Sequence, residues 1–155
     1  MKLAFLAPEF IPTWGGVGIY SVNLIKELAK NKDVEIHVFT PYRDVSEQKI
    51  LKNFNNKIKL HFIGSANNNF SYNFLFQLNL YKEFPKYLKR YSFDIVHSAN
   101  LVHMPDIFLK FRNLNTIFIV TMHTTIEGQV KGFLKSNKNF LKMAPSEKGS
   151  LIFYP

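Results

Sequence analysis

PEFIPTWGGVGIYSVNLIKELAKN, residues 8–31, follows the first apolar run of the chain and decides how the rest is read. Three glycines, Gly15, Gly16 and Gly18, stand at the mouth of a helical pattern. Val17, Tyr20, Leu24, Ile25 and Leu28 recur at helical spacing and predict an amphipathic helix over residues 17–30. Ahead of the loop, residues 2–7 form a short apolar run that reads as a buried strand. The arrangement is therefore strand, a long loop with two prolines, then glycines at a helix start. Free N–H groups and the positive end of the helix dipole attract phosphate or carboxylate at such a place. The missing Cβ lets a ligand touch the backbone. The same glycines equally serve a tight turn and close packing of helix on strand.

Working outward, VEIHVFT (34–40) is rich in β-branched and aromatic residues and stops at Pro41, a second strand. Residues 46–53 read as a short helix, KIKLHFI (57–63) as a third strand by its alternation, and GSANNN (64–69) as a loop. Residues 74–91 carry Leu75, Leu78, Tyr81 and Leu88 at helical spacing, with Pro85 expected to break or kink the helix. FDIVHSA (93–99) is a fourth strand, 104–113 a short helix, and NTIFIVTMH (115–123) a fifth strand of nearly continuous apolar character. Strands of that kind are buried on both faces, as in a parallel sheet covered by helices. A helix over 132–143 and a last strand, SLIFYP (150–155), complete the pattern. Alternating strands and helices predict a doubly wound α/β domain with a mostly parallel, Rossmann-like sheet.

Composition narrows the function classes. With 155 residues, 46% apolar, sixteen Phe and seven Tyr, the chain suits one domain with a sizeable core. No stretch approaches the roughly 20 apolar residues that span a bilayer. The opening MKLAFLAPEF lacks the longer apolar region and cleavage site of a signal peptide, so the expected location is cytoplasmic. With no Cys there is no disulfide framework and no thiolate nucleophile or ligand. The formal net charge is +9, but Lys26, Lys30, Lys32, Lys49, Lys52, Lys57, Lys59, Lys82, Lys86 and Lys89 are scattered over the polar sides of periodic segments. They read as solvated helix faces, with attraction of a phosphate-bearing ligand as the functional alternative. No nucleic-acid motif accompanies them, so nucleic acid is not an expected partner. Aromatic residues over 70–76 would meet a membrane only if an acceptor were lipid, and they serve a helix face equally well.

Two phosphate-binding motifs are excluded or weakened. Gly16-Val17-Gly18-Ile19-Tyr20-Ser21 nearly matches a dinucleotide fingerprint, with Ser21 in the last place. In the true fingerprint the glycines follow the first strand at once, and an acid closes the second strand. Here a loop intervenes and Pro41 and Tyr42 follow the second strand, so an NAD-binding domain is a minor alternative. No Gly-Lys-Ser/Thr occurs, which removes a Walker A loop.

Taken together, PEF.P..GGVG....NLIKEL, VEIHVFTP, FDIVHSAN and VTMHTT, in that order and spacing, resemble the N-terminal domain of retaining glycosyltransferases of the two-domain GT-B architecture. The likeness is to the family four-like enzymes, near the glycogen and starch synthases, and covers residues 1 to about 130. It implies that residues 1–155 form the N-terminal, acceptor-side domain and that the donor-binding C-terminal domain is absent from this chain. By the resemblance, Gly15 and Gly16 donate backbone N–H groups to the donor diphosphate, and His123 is the active-site histidine. His97 takes the D-x-x-H position, with Asn100 beside the cleft, and Glu9, Trp14 and Thr124 line the cleft or acceptor side. The implied substrates are a nucleoside diphosphate sugar and a saccharide or other acceptor, with no cofactor and no metal. The alternatives are a glycogen or starch synthase domain and a non-catalytic sugar- or nucleotide-binding module. By itself the chain is expected to be inactive.

Plainer roles stand beside these. His123 also reads as a strand-end histidine capping the backbone, and His97 as a structural residue. Asp94 is expected to cap or pair at its strand start, and His37 and His61, within strands on alternating sides, to be packing or surface residues. A zinc site from His97, His103 and His123 lacks supporting spacing. One departure from the resemblance is specific: bacterial glycogen synthases carry Lys-x-Gly-Gly, and Thr13 stands in the lysine's place.

Overall fold

The computed structural model describes residues 1–13, 15–66, 72–99 and 115–123, with positions 109, 128, 131, 132 and 135. Its elements are β1 (Lys2–Leu6), α1 (Gly16–Leu28), β2 (Glu35–Tyr42), α2 (Glu47–Lys52), β3 (Ile58–Ser65), α3 (Tyr72–Tyr91), β4 (Ile95–Ser98) and β5 (Ile117–Val120). The sheet order is β3-β2-β1-β4-β5, and every neighbouring pair is parallel. From β1 the chain winds outward to β3, then crosses back to place β4 on the other side of β1. That reversal puts the topological switch point between β1 and β4, and it is beyond the carboxyl ends of such strands that open α/β sheets receive ligands.

Alternation along β1 divides the core between two layers. Leu3 and Phe5 pack with Val22, Ile25 and Ala29 of the α1 layer and with Ile50 and Phe54 around α2. Ala4 and Leu6 face the opposite way, into a layer with Phe76, Leu80, Phe84 and Leu88 of α3. A strand buried on both faces needs apolar residues at consecutive positions, which is why residues 2–7 read as a run rather than an alternation. Asp94 closes the start of the sheet: the Lys2 amide donates to its Oδ2 at 2.6 Å, and its own amide donates to the Lys2 carbonyl.

Three expectations need correction. The second strand does not stop at Pro41; pairing with β3 resumes at Tyr42 after a register shift. Proline has no N–H for the ladder, so the irregularity falls where a donor is missing. Helix α3 is not broken at Pro85, because Phe84 and Leu88 on its buried stripe keep both halves on the sheet. The fifth strand is not buried on both faces. It lies at the end of the described sheet, and Ile117 is 60% exposed and Ile119 41%. The elements expected over 104–113, 132–143 and 150–155 lie outside the described residues, apart from helical positions 109, 132 and 135.

Candidate active site

The loop after β1 is fixed from below. Phe10 is fully buried and stacks on Phe54 at 5.2 Å, and the Ala7 amide donates to the Phe39 carbonyl. This anchoring lays the loop against the start of α1, where the three glycines prove to differ. A Cβ on Gly18 would come within 3.4 Å of Thr13 Cα and 3.5 Å of Glu9 Cβ, so Gly18 serves close packing of loop on helix. A Cβ on Gly16 would meet nothing within 4 Å. One on Gly15 would stand 3.5 Å from Glu9 Oε2, an ordinary contact. Gly15 is the N-cap of α1 and supplies no side-chain cap, and the first turn holds no acidic residue. The helix thus starts with its amide donors uncapped by its own side chains, a favourable place for an anion.

Across the switch point, β4 and the end of β5 bring two histidines to the same side. His97 Nε2 shares a hydrogen bond with Thr121 Oγ1 at 2.7 Å, and the Phe5 ring meets the imidazole edge-on at 5.1 Å. Thr121 Oγ1 is in turn 3.2 Å from the Tyr20 hydroxyl of α1. The Tyr20 ring stands edge-on to His123, with centroids 4.7 Å apart. His123 Nε2 is buried and has no hydrogen-bond partner among the described residues. Burial holds the His123 pKa below the ordinary histidine value, against the Glu9 carboxylate, which draws it up. Burial also lowers His97, and the neighbouring His123 adds to the lowering. Both imidazoles are therefore neutral at neutral pH, each with one donor and one acceptor nitrogen.

Glu9 completes the group. Its Oε1 accepts the hydroxyl of Tyr72, which lies beneath the Arg43 guanidinium, 5.0 Å from the ring centre. Of the residues expected at the site, Glu9, Gly15, Gly16, His97 and His123 gather at the carboxyl ends of β1, β4 and β5. Trp14, Asn100 and Thr124 lie outside the described residues, as does His103. Among the described residues no three His, Asp or Glu side chains are grouped to hold a metal ion. Tyr20, Thr121, Arg43 and Tyr72 were not expected there. Tyr20 reads as core from its periodicity, and Thr121 gives no sign that its hydroxyl lies between a strand and a helix. His37 and His61 also correct the reading of alternating sides: they share one face and a hydrogen bond of 2.9 Å, Nδ1 to Nε2, well within the α3 layer.

Comparison with known proteins shows the family and the fold. The sequence matches the Glycosyltransferase Family 4 model over residues 14–148, most of its length. The chain belongs to glycosyltransferase family 4. The family match spans α1 with its glycines, His97 and His123 together. Among solved structures, the fold is similar to that of the lipopolysaccharide outer core galactosyltransferase WaaB in its apo form, with a TM-score of 0.51 and 19% identity. The match covers 82% of this chain and 34% of that one, so the family 4 chain spans about a third of the length of the structure it resembles. No curated protein sequence matches it significantly. The parallel, Rossmann-like sheet is that of a GT-B glycosyltransferase. Among the described residues no helix is long and apolar enough to cross a membrane.

Proposed function

We propose that this chain is the N-terminal, acceptor-side half of a retaining hexosyltransferase that uses a nucleoside diphosphate sugar. The observation that carries the reading is the buried Nε2 of His123, without a partner among the described residues, in the same cluster as Glu9 and the uncapped start of α1. A buried polar atom left unpaired costs about 1–3 kcal/mol, and a ligand hydroxyl there would remove that cost. In this reading His123 accepts or donates a hydrogen bond to the donor sugar and holds it for transfer. The amides of Gly15 and Gly16 meet the diphosphate. As the bond from the anomeric carbon to the diphosphate breaks, negative charge grows on the leaving oxygen, and preoriented N–H groups favour that change. The acceptor hydroxyl, near Glu9 and His97, forms the new bond to the same carbon on the face the diphosphate leaves, and its proton passes to the departing diphosphate oxygen. Trp14, Asn100 and Thr124 belong to the same proposed cleft. The nucleotide and the remaining donor contacts fall to a C-terminal domain, and the reaction calls on no cofactor of this chain. The proposed location is cytoplasmic.

The test is release of nucleoside diphosphate from a panel of nucleotide sugars. The 155-residue chain is compared with the protein extended by what its gene encodes beyond Pro155, or combined with a separately encoded donor-binding chain. Turnover only in the larger assembly, lost in His123→Ala, is the expected result. Efficient transfer by the 155-residue chain would overturn the half-enzyme reading.

A further inference from the structure

Arg43 follows β2 directly, and only 6% of its surface is exposed. Its Nη2 donates to the carbonyl of Pro8 in the loop after β1. The same guanidinium lies over the ring of Tyr72, the first residue of α3, itself 9% exposed. Tyr72 donates its hydroxyl to Glu9 Oε1. Two consecutive loop residues, one by its main chain and the next by its side chain, are therefore held by side chains from two other elements.

A guanidinium is expensive to bury, and an apolar side chain would fill the end of β2 at less cost. Burial draws the Arg43 pKa down to about 10, with Tyr72 and Glu9 pulling it back, so the group is still charged at neutral pH. Burial and the bond to Glu9 push the Tyr72 hydroxyl far above the ordinary phenol value, so it stays protonated and remains a donor. Both members of the pair are thus locked in the protonation state that grips the loop. The Glu9 Oε2 is directed at the Gly15 end of α1, and the carboxylate's charge acts on His123.

We propose that Arg43 and Tyr72 are positioning residues, a brace that holds Pro8 and Glu9 so that the Glu9 carboxylate stands between the start of α1 and His123. The placement of Glu9 stands without reference to any reaction. Its use there, to orient an acceptor hydroxyl, rests on the glycosyl transfer proposed above. Among the described residues, Tyr20 of α1 lies against the His123 ring, and the titratable groups that act on it are Glu9 from the loop and His97 from β4.

The His123 imidazole serves as the probe, because its titration reads the nearby carboxylate and needs no substrate. NMR titration of the 155-residue chain is run on the parent, Glu9→Gln, Tyr72→Phe and the double variant. Tyr72→Phe keeps the ring beneath Arg43 and removes only the hydroxyl. The expected result is that Glu9→Gln lowers the His123 pKa, Tyr72→Phe reproduces more than half of that fall, and the double variant falls no further than Glu9→Gln. Arg43→Met, which releases Pro8, is expected to move His123 in the same direction; if it does not fold, the Tyr72→Phe cycle decides. The brace is overturned if Tyr72→Phe leaves His123 at the parent value, or lowers it equally when Glu9 is already replaced. It is overturned too if Glu9→Gln does not move His123. A cycle that behaves as expected beside a failed transfer assay leaves the brace standing and removes only the acceptor role.

Discussion

Thr121 Oγ1 lies between His97 Nε2, at 2.7 Å, and the Tyr20 hydroxyl, at 3.2 Å, so one hydroxyl ties the end of β4 to helix α1 just past the last residue of β5. The residue two positions on is His123, whose ring rests against the same Tyr20. Thr121→Val preserves shape but strands two half-buried polar groups. The expected loss is about 1–3 kcal/mol of stability, measured by urea unfolding. Thr121→Ser, which restores the hydroxyl, is expected to recover most of it. If valine is tolerated without loss, the hydroxyl is not what joins these elements.

Gly16 separates the two meanings of its motif. Since a Cβ there meets nothing within 4 Å, Gly16→Ala is expected to leave stability within about 1 kcal/mol of the parent. The added methyl would nevertheless stand where the donor diphosphate is proposed to approach. Transfer by the complete enzyme is expected to drop at least tenfold while the melting temperature holds. An unchanged rate would return Gly16 to a purely conformational role.

Gly64 makes the opposite case. Its φ is +63°, a region that costs other residues roughly 1–2 kcal/mol, and a Cβ there would lie 2.3 Å from Asn79 Nδ2. Gly64→Ala is expected to destabilise by at least that amount. Pairing it with Asn79→Ala should return the steric part and leave the backbone part, a division that a double-mutant cycle in urea resolves.

The His37–His61 pair predicts acid sensitivity. His37 is fully buried; burial lowers its pKa, against the hydrogen bond that its Nε2 donates to the Glu35 carboxylate. His61 is drawn to about 4, by burial first and then by the charges of His37, Lys59 and Arg90. Because both folded values lie below the ordinary histidine value, the unfolded chain takes up protons first, and stability falls as pH drops from about 6.5 toward 4. Glu35, held near 2 by Lys59 and His37, extends the loss to lower pH. Replacing His61 by Phe, whose ring would keep the stacking on Phe39, is expected to flatten the fall between pH 6.5 and 4, followed by thermal denaturation across that range. A slope unchanged by the substitution would show that other groups carry it.

The alternation of strands and helices was legible because burial on both faces demands consecutive apolar residues in β1 and helical spacing in α1. Glycines at a helix start and histidines at strand ends were legible too, since loop and strand-end chemistry is local. Other features depended on where distant segments meet. The apolar run of β5 resembles that of β1, yet lying at the end of the described sheet leaves Ile117 exposed, and no local pattern distinguishes the two. Arg43 reads as one more surface cation until the fold closes Pro8 and Tyr72 over it. What the sequence by itself determined was the kind of sheet, because that follows from periodicity. Only the tertiary structure decided which hydroxyl joins His97 to α1 and which buried charge holds the loop. Those contacts link residues 101 and 35 positions apart, and their partners are chosen by topology.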